Sequence, residues 1–374
     1  MSQSALSADE RLDWIRLART SGVGPVTFFE LLNRFGDAPT ALDAVPRLAK
    51  RGGRIKANSM PSRDHIHLEL DRYDALGACL ICACEPDFPM ALRTLDPPPP
   101  IISAIGPLKI EEQPACAIVG ARNASAVGIK LAGDFARALG EHNVVTVSGL
   151  ARGIDGAAHA ASLETGTVAV IAGGLGRVYP PEHSDLQHAI AQQGLIISEA
   201  PPDYTAQARD FPKRNRLIAG LSAGTLVIEA AERSGSLITA RLAGEMGREV
   251  MAVPGSPLDP RAKGTNKLLR EGAALVETVE DVLAVLQGAS QMHLQDPGSR
   301  PYDNEPVDTQ ALETEVDRIR DRIREKLGPV PVSRDELIRQ LGVPAQIVMA
   351  CLMELELAGQ CQLTPGGLVF YVPE

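Results

Sequence analysis

The sequence predicts an α/β fold built on a doubly wound, mostly parallel sheet, with a small helical unit before it and a winged-helix unit after it. Three observations carry this. Short apolar runs suited to buried parallel strands recur between residues 115 and 276, and helical segments separate nearly all of them. Residues 9 to 70 follow a helical pattern. Past a polar stretch, two helices and a hairpin-like CQLTPGGLVFYV resemble a winged helix-turn-helix.

In the first unit the apolar positions are Leu12, Ile15, Leu17, Phe28, Phe29, Leu31, Leu32, Phe35 and Leu42. Ser21-Gly22-Val23-Gly24-Pro25 is a tight turn with proline at a helix start. Such a turn in a helix-hairpin-helix unit can hold a DNA phosphate on its backbone amides, but the same glycines serve any turn between helices, and a structural role is expected. Asp96-Pro97-Pro98-Pro99-Pro100 reads as a stiff extended connector.

The expected strands are residues 115–119, 144–147, 168–172, 195–197, 225–228, 250–253 and 274–276. Residues 287–310 turn polar, with Gly, Pro, Asp and Ser, and mark a linker. Beyond it Ser333 and Glu336 form a capping box before Leu337, and Gly342-Val343-Pro344 turns the chain into a second helix over 345–358. The domains are therefore expected at 1–72, 73–286 and 311–374.

The chain has 374 residues, enough for two or three domains, and a formal net charge of -10. No stretch approaches the ~18 continuous apolar residues of a membrane span. The first residues, MSQSALSADERLDW, carry acids where a signal peptide needs a basic and then an apolar run, so no membrane contact and a cytoplasmic location are expected. Six cysteines form no disulfide framework. Cys79, Cys82 and Cys84 share one strand-like run in C-x-x-C-x-C spacing, yet no second Cys or His cluster follows, and strand alternation turns Cys79 away from the other two. Buried thiols and no metal are expected.

Against the acidic whole, residues 209–216 hold four bases, Arg209, Lys213, Arg214 and Arg216, and one acid, Asp210, a net of +3. An anion site here would be local, its field opposing that of the protein. Ligands of an open parallel sheet bind outside the carboxyl ends of the strands. There this chain places Gly120-Ala121-Arg122-Asn123, Ser148-Gly149-Leu150-Ala151-Arg152-Gly153, Gly173-Gly174-Leu175-Gly176, and Glu229 followed by Ser234-Gly235-Ser236. Glycine lets the backbone approach an anion and arginine grips it in two-pronged fashion. With Lys213 to Arg216 joined to these loops, phosphate or nucleic acid is the expected ligand class.

Neither G-x-G-x-x-G nor G-x-x-x-x-G-K-[ST] occurs, so no dinucleotide or P-loop chemistry and no cofactor are expected. Ser148, Asp155, His159, Glu199 and Glu229 could act in hydrolysis, but their spacing makes no triad or paired-acid signature. Asp155 reads as a helix N-cap and His159 as a locally packed side chain.

The segments AIVGAR (117–122), SGLARGIDGAAH (148–159), GGLGRVYPPEH (173–183), SEAPP (198–202), FPKRNRLIAGLS (211–222), EAAERSGSLITAR (229–241) and VPGS (253–256) resemble the DprA family, the bacterial DNA-processing protein A, also called Smf. The resemblance implies a Rossmann-like core that binds single-stranded DNA and loads the RecA recombinase onto it in natural transformation. It also implies a homodimer, no established enzymatic activity, a SAM-like helical domain before the core and a winged helix after it. Carried over by motif, the DNA site comprises Arg122, Ser148, Gly149, Arg152, Phe211, Lys213, Arg214, Asn215 and Arg216. Arg122, Arg152, Lys213 and Arg216 would hold phosphates, and Phe211 would stack on a base or simply pack its loop. Gly120, Gly173, Gly174, Glu229, Ser234, Gly235 and Ser236 would shape the pocket.

From residue 331 onward two bases face five acids, a net of -3, and the second helix carries Glu354 and Glu356 with no Lys or Arg. The winged helix is thus expected to contact protein rather than DNA. A second reading of the whole stays open: a nucleotide-processing enzyme, phosphoribohydrolase-like, with Glu229 catalytic.

Overall fold

The computed structural model describes residues 6–53, 59–107, 109–110, 113–293, 309–328, 330–364 and 366–372. Four helices, α1 (Ala8–Arg19), α2 (Pro25–Phe35), α3 (Ala38–Arg51) and α4 (Arg63–Leu76), form the first unit. Ser7 and Glu10 close a reciprocal capping box on α1, Pro25 opens α2, and Asp37 caps α3. Trp14 and Phe28 meet edge to face at 4.9 Å in its core.

The core then runs β1 (Cys79–Cys82), α5 (Met90–Arg93), β2 (Ile101–Ile105), β3 (Ala115–Val119), α6 (Ala126–Glu141), β4 (Val145–Ser148), α7 (Ile154–Ala161), β5 (Thr167–Val170), α8 (Ser184–Gln193) and β6 (Leu195–Ser198). It continues through α9 (Asp210–Leu221), β7 (Gly224–Val227), α10 (Ser236–Glu245), β8 (Glu249–Ala252), α11 (Lys263–Arg270), β9 (Ala274–Leu275) and α12 (Val279–His293). These strands make one nine-stranded sheet in the order β1-β2-β6-β5-β4-β3-β7-β8-β9.

From β6 to β9 every pairing is parallel, while β1 and β2 add an antiparallel edge. Every residue of β3, β4, β5, β6 and β7 is buried, as expected of strands covered by helices on both faces. The chain winds outward from β3 through β6, then crosses back to β7 on the other side of β3. The direction of winding therefore reverses at β3, which opens a crevice at its carboxyl end.

Several expectations shift. β2 was not among the expected strands; it begins directly after the proline run, and the Trp14 indole donates to the Pro100 carbonyl at 2.9 Å, tying the helical unit to it. Polar text from residue 287 begins inside α12, which runs to His293, and residues 294–308 lie outside the described residues. Cys82 and Cys84 are buried as expected, but Cys79 is exposed, because alternation along β1 turns it to the face opposite Cys82.

The last unit contains α13 (Thr309–Lys326), β10 (Val332–Ser333), α14 (Arg334–Leu341), α15 (Ala345–Leu357), β11 (Cys361–Leu363) and β12 (Leu368–Tyr371), with strand order β10-β12-β11. Ser333 accepts from the Glu336 amide at 3.1 Å, but the Glu336 carboxylate turns to Arg339 and Gln340, so half of the capping box forms. The α15 helix lies against α2 and α3 of the first unit. Its acids face inward: the fully buried Glu354 accepts from Arg51 at 2.9 Å and from Arg320 at 2.6 Å. Glu313 of α13 pairs with Arg34, Arg47 and Arg51. These ion pairs join the winged-helix unit to the helical unit within the chain. Among the described residues, no single helix is long and apolar enough to cross a membrane.

Candidate nucleic acid interface

The loops after β3, β4 and β5 and the first turn of α9 converge at the crevice. The β3 and β4 loops touch at Gly153, which has φ +75 and where a Cβ would stand 2.3 Å from the Ala121 carbonyl oxygen. Only glycine permits both that dihedral and that approach. The SGLARG loop is fixed from beneath. Asp155 accepts from the amides of Gly149 at 3.1 Å and Ala151 at 3.4 Å, and His159 accepts from the Leu150 amide at 3.3 Å while its Nδ1 meets the Thr167 hydroxyl at 2.7 Å. Burial pushes His159 down to about 3, which keeps the ring neutral. Asp155 is therefore not an N-cap: Gly153 holds that position, and the carboxylate reaches back to organise the loop.

Arg214, buried in α9, stands behind the same loop. Its Nη1 donates to the Gly149 carbonyl at 2.7 Å and to that of Val170, and its charge faces Asp155. Burial lowers its pKa to about 10, opposed by Asp155, so the guanidinium stays charged at neutral pH. Burial likewise raises Asp155, and Arg214 opposes the shift. Arg216 is also turned inward, paired with Glu199, while its Nη1 has no partner among the described residues. Arg19 of α1 donates to the Glu199 carbonyl at 2.7 Å and ion-pairs with Glu69 at 2.8 Å, so the helical unit braces this segment. Asn215 donates to the Gly235 carbonyl at 3.3 Å, and Ser148 donates to that of Ile118 at 2.6 Å.

Of the phosphate ligands expected from sequence, Arg122, Arg152 and Lys213 are exposed, on the loops after β3 and β4 and on α9, whereas Arg216 is buried. Arg152 pairs with Glu182 at 2.7 Å on the surface, a contact that solvent weakens. Phe211 is half-buried, with the Arg122 guanidinium 5.1 Å from its ring centroid and the Tyr179 ring at 5.4 Å. Phe211 and Tyr179 line a pocket whose other walls include Gly149, Gly173, Arg177, Ala206 and Arg214. Next to Gly173, the Gly174 amide donates to the Tyr204 carbonyl at 2.9 Å.

Glu229 lies apart from the pocket lining: its carboxylate accepts from the Ser125 hydroxyl at 2.5 Å and amide at 2.9 Å at the start of α6. Ser234 and Ser236 bond to each other at 2.8 Å beside it in sequence. Arg177 and Tyr179 line the pocket, and sequence reasoning did not single them out. Both stand in the GGLGRVYPPEH segment after β5, and an exposed aromatic and cation following a strand end were the available signal.

This combination defines a three-part protein: a doubly wound core with a cationic, aromatic-lined pocket at the carboxyl ends of β4 and β5, between a helical module and a winged helix. Family models match each part in turn. The DNA recombination-mediator protein A model covers residues 79–287, the DprA-like N-terminal HHH domain covers 8–71, and the DprA winged helix domain covers 307–367. The chain belongs to the DNA recombination-mediator protein A family. It is 31% identical over 397 residues to Protein Smf of Synechocystis, covering 96% of this chain and 98% of that protein. It is 39% identical over 256 residues to Protein Smf of Escherichia coli, covering 68% of this chain and 67% of that one. The X-ray structure of DNA processing protein A from Streptococcus pneumoniae aligns with TM-score 0.61 at 34% identity, over 73% of this chain and 97% of that one. That from Helicobacter pylori, whose structure is described by its single-stranded DNA binding mode, aligns with TM-score 0.52 at 29% identity, over 56% and 96%.

Proposed function

We propose that this chain binds single-stranded DNA without sequence preference in the crevice at the carboxyl end of β3 and β4, and as a homodimer loads a RecA-type recombinase onto it during DNA uptake or recombination in the cytoplasm. One observation carries the binding reading: Arg177 and Tyr179 stand exposed on a pocket also walled by Phe211 and Arg214, the Arg122 guanidinium lies 5.1 Å from the Phe211 ring, and Arg152 and Lys213 are exposed on the β4 loop and on α9, in a chain of formal net charge -10. Exposed cations follow the phosphates, and aromatic faces accept any base. The Helicobacter pylori relative described by its single-stranded DNA binding mode supports the same ligand. Arg214 and Asp155 act in this reading as the frame that aims the SGLARG loop, not as ligands. Arg216 serves the frame through Glu199. The function is non-enzymatic and needs no cofactor.

The nucleotide-processing alternative would make Glu229 a general base, but both its oxygens are engaged by Ser125. Ligand length separates the two readings. Affinity that climbs with oligonucleotide length supports strand binding, and release of free base from a nucleoside monophosphate overturns it.

A further inference from the structure

Phe211 cannot by itself offer a free face to an incoming base. Its ring is half-buried, with the Arg122 guanidinium 5.1 Å and the Arg214 guanidinium 6.0 Å from its centroid, and the Tyr179 ring inclined to it by 53°. Tyr179 differs. It is 47% exposed, stands at the pocket rim, and is followed by Pro180 and Pro181, which stiffen the backbone that carries it. A large apolar ring kept this open to water, at the mouth of a cationic pocket, is the arrangement that base stacking uses. Its hydroxyl donates no hydrogen bond among the described residues, and its ring contact there is with Phe211, which leaves the rest of the ring open. Beside it Arg177 is exposed and anchored through Nε to the Asp203 carbonyl at 3.0 Å, which leaves its other nitrogens toward solvent.

We infer that Tyr179 is a base-stacking platform of the single-strand site, buttressed by Phe211, with Arg177 holding the phosphate next to the stacked base. The inference rests on the strand-binding reading and adds to it the position of a base. It assigns part of the affinity to a ring rather than to charge, so the two contributions separate by ligand.

The test compares a thymidine oligomer with an abasic oligomer of the same length, on the full-length protein. Tyr179→Ala should weaken binding of the thymidine oligomer by between about 5-fold and about 150-fold and leave abasic binding within about twofold. Tyr179→Phe should match the wild type on both. Arg177→Ala should weaken both ligands alike. In Tyr179→Trp, the new indole should be quenched by the thymidine oligomer and not by the abasic one, against the constant emission of the buried Trp14, the only tryptophan of the chain. Unchanged thymidine binding by Tyr179→Ala, or an equal loss on both ligands, overturns the platform while the strand-binding reading stands. Wild-type protein that binds neither oligomer overturns that reading, and this inference with it.

Discussion

Glu356 of α15 and Thr27 of α2, 329 positions apart in sequence, share a buried hydrogen bond between hydroxyl and carboxylate. The second carboxylate oxygen accepts from the Leu363 amide at 2.7 Å, so one side chain joins the winged helix, its own wing and the helical unit. Burial pushes Glu356 up to about 7, against the hydrogen bonds from Thr27 and Leu363 and the charge of Lys213.

That shift gives the contact between the end units a pH dependence. A carboxyl whose folded pKa lies above its unfolded 4.5 holds its proton more tightly when docked, so its contribution is full below about 4.5 and is lost as pH rises through about 7. Thermal unfolding across that window should show the wild type losing stability toward neutral pH relative to Glu356→Gln, whose neutral amide cannot titrate. Parallel pH profiles for the two proteins would refute the assignment.

Glu354 should matter to stability through its two arginine partners. It receives Arg51 and Arg320 inside the interface, and removing one partner of a buried pair leaves charge unmatched. Glu354→Ala is expected to cost about 3 kcal/mol in chemical denaturation. A cost within about 0.5 kcal/mol, the range of ordinary surface changes, would show that the interface does not depend on this pair.

Two adjacent cations of α9 should behave oppositely. Arg214→Ala leaves Asp155 buried without its counter-charge and frees the carbonyls of Gly149 and Val170, so stability should fall by about 3 kcal/mol along with DNA affinity. Lys213→Ala should weaken DNA binding with stability within about 0.5 kcal/mol of wild type. Paired melting and binding curves decide it.

The backbone of the SGLARG loop offers a separate check. Gly153→Ala forces a Cβ to within 2.3 Å of the Ala121 carbonyl oxygen at φ +75, and should destabilise by more than about 2 kcal/mol. Wild-type melting behaviour would mean that the β3 and β4 loops move apart freely.

How much of this was legible depends on whether the signal was local. The apolar runs of the core place its parallel strands to within about one residue at most ends, because burial on both faces keeps charged residues out of β3 to β7 and admits only the small hydroxyls Thr146, Ser148, Thr167, Ser198 and Thr225 among the polar ones. β2 escaped notice because Ile101–Ile105 follows four prolines and pairs antiparallel with a strand far along the chain. In FPKRNR, composition marks the cations but not their direction. Arg214 lies four residues before Ile218 and seven before Leu221, both buried, and a helical reading of that segment would have turned it inward. From sequence, the acids of α15 on a helix without Lys or Arg mark only the absence of attraction for phosphate. Their actual partners, Thr27 and Arg51, are about three hundred residues away, and no local pattern encodes such a contact.

The central claim is that exposed cations at the crevice hold the phosphates of a single strand. The most direct measurement is the salt dependence of oligonucleotide affinity for wild type, Arg122→Ala and Lys213→Ala. Each substitution should weaken binding uniformly across sequences and lower the slope of log affinity against log salt by about 1. Equal affinities and equal slopes for all three proteins would contradict the account.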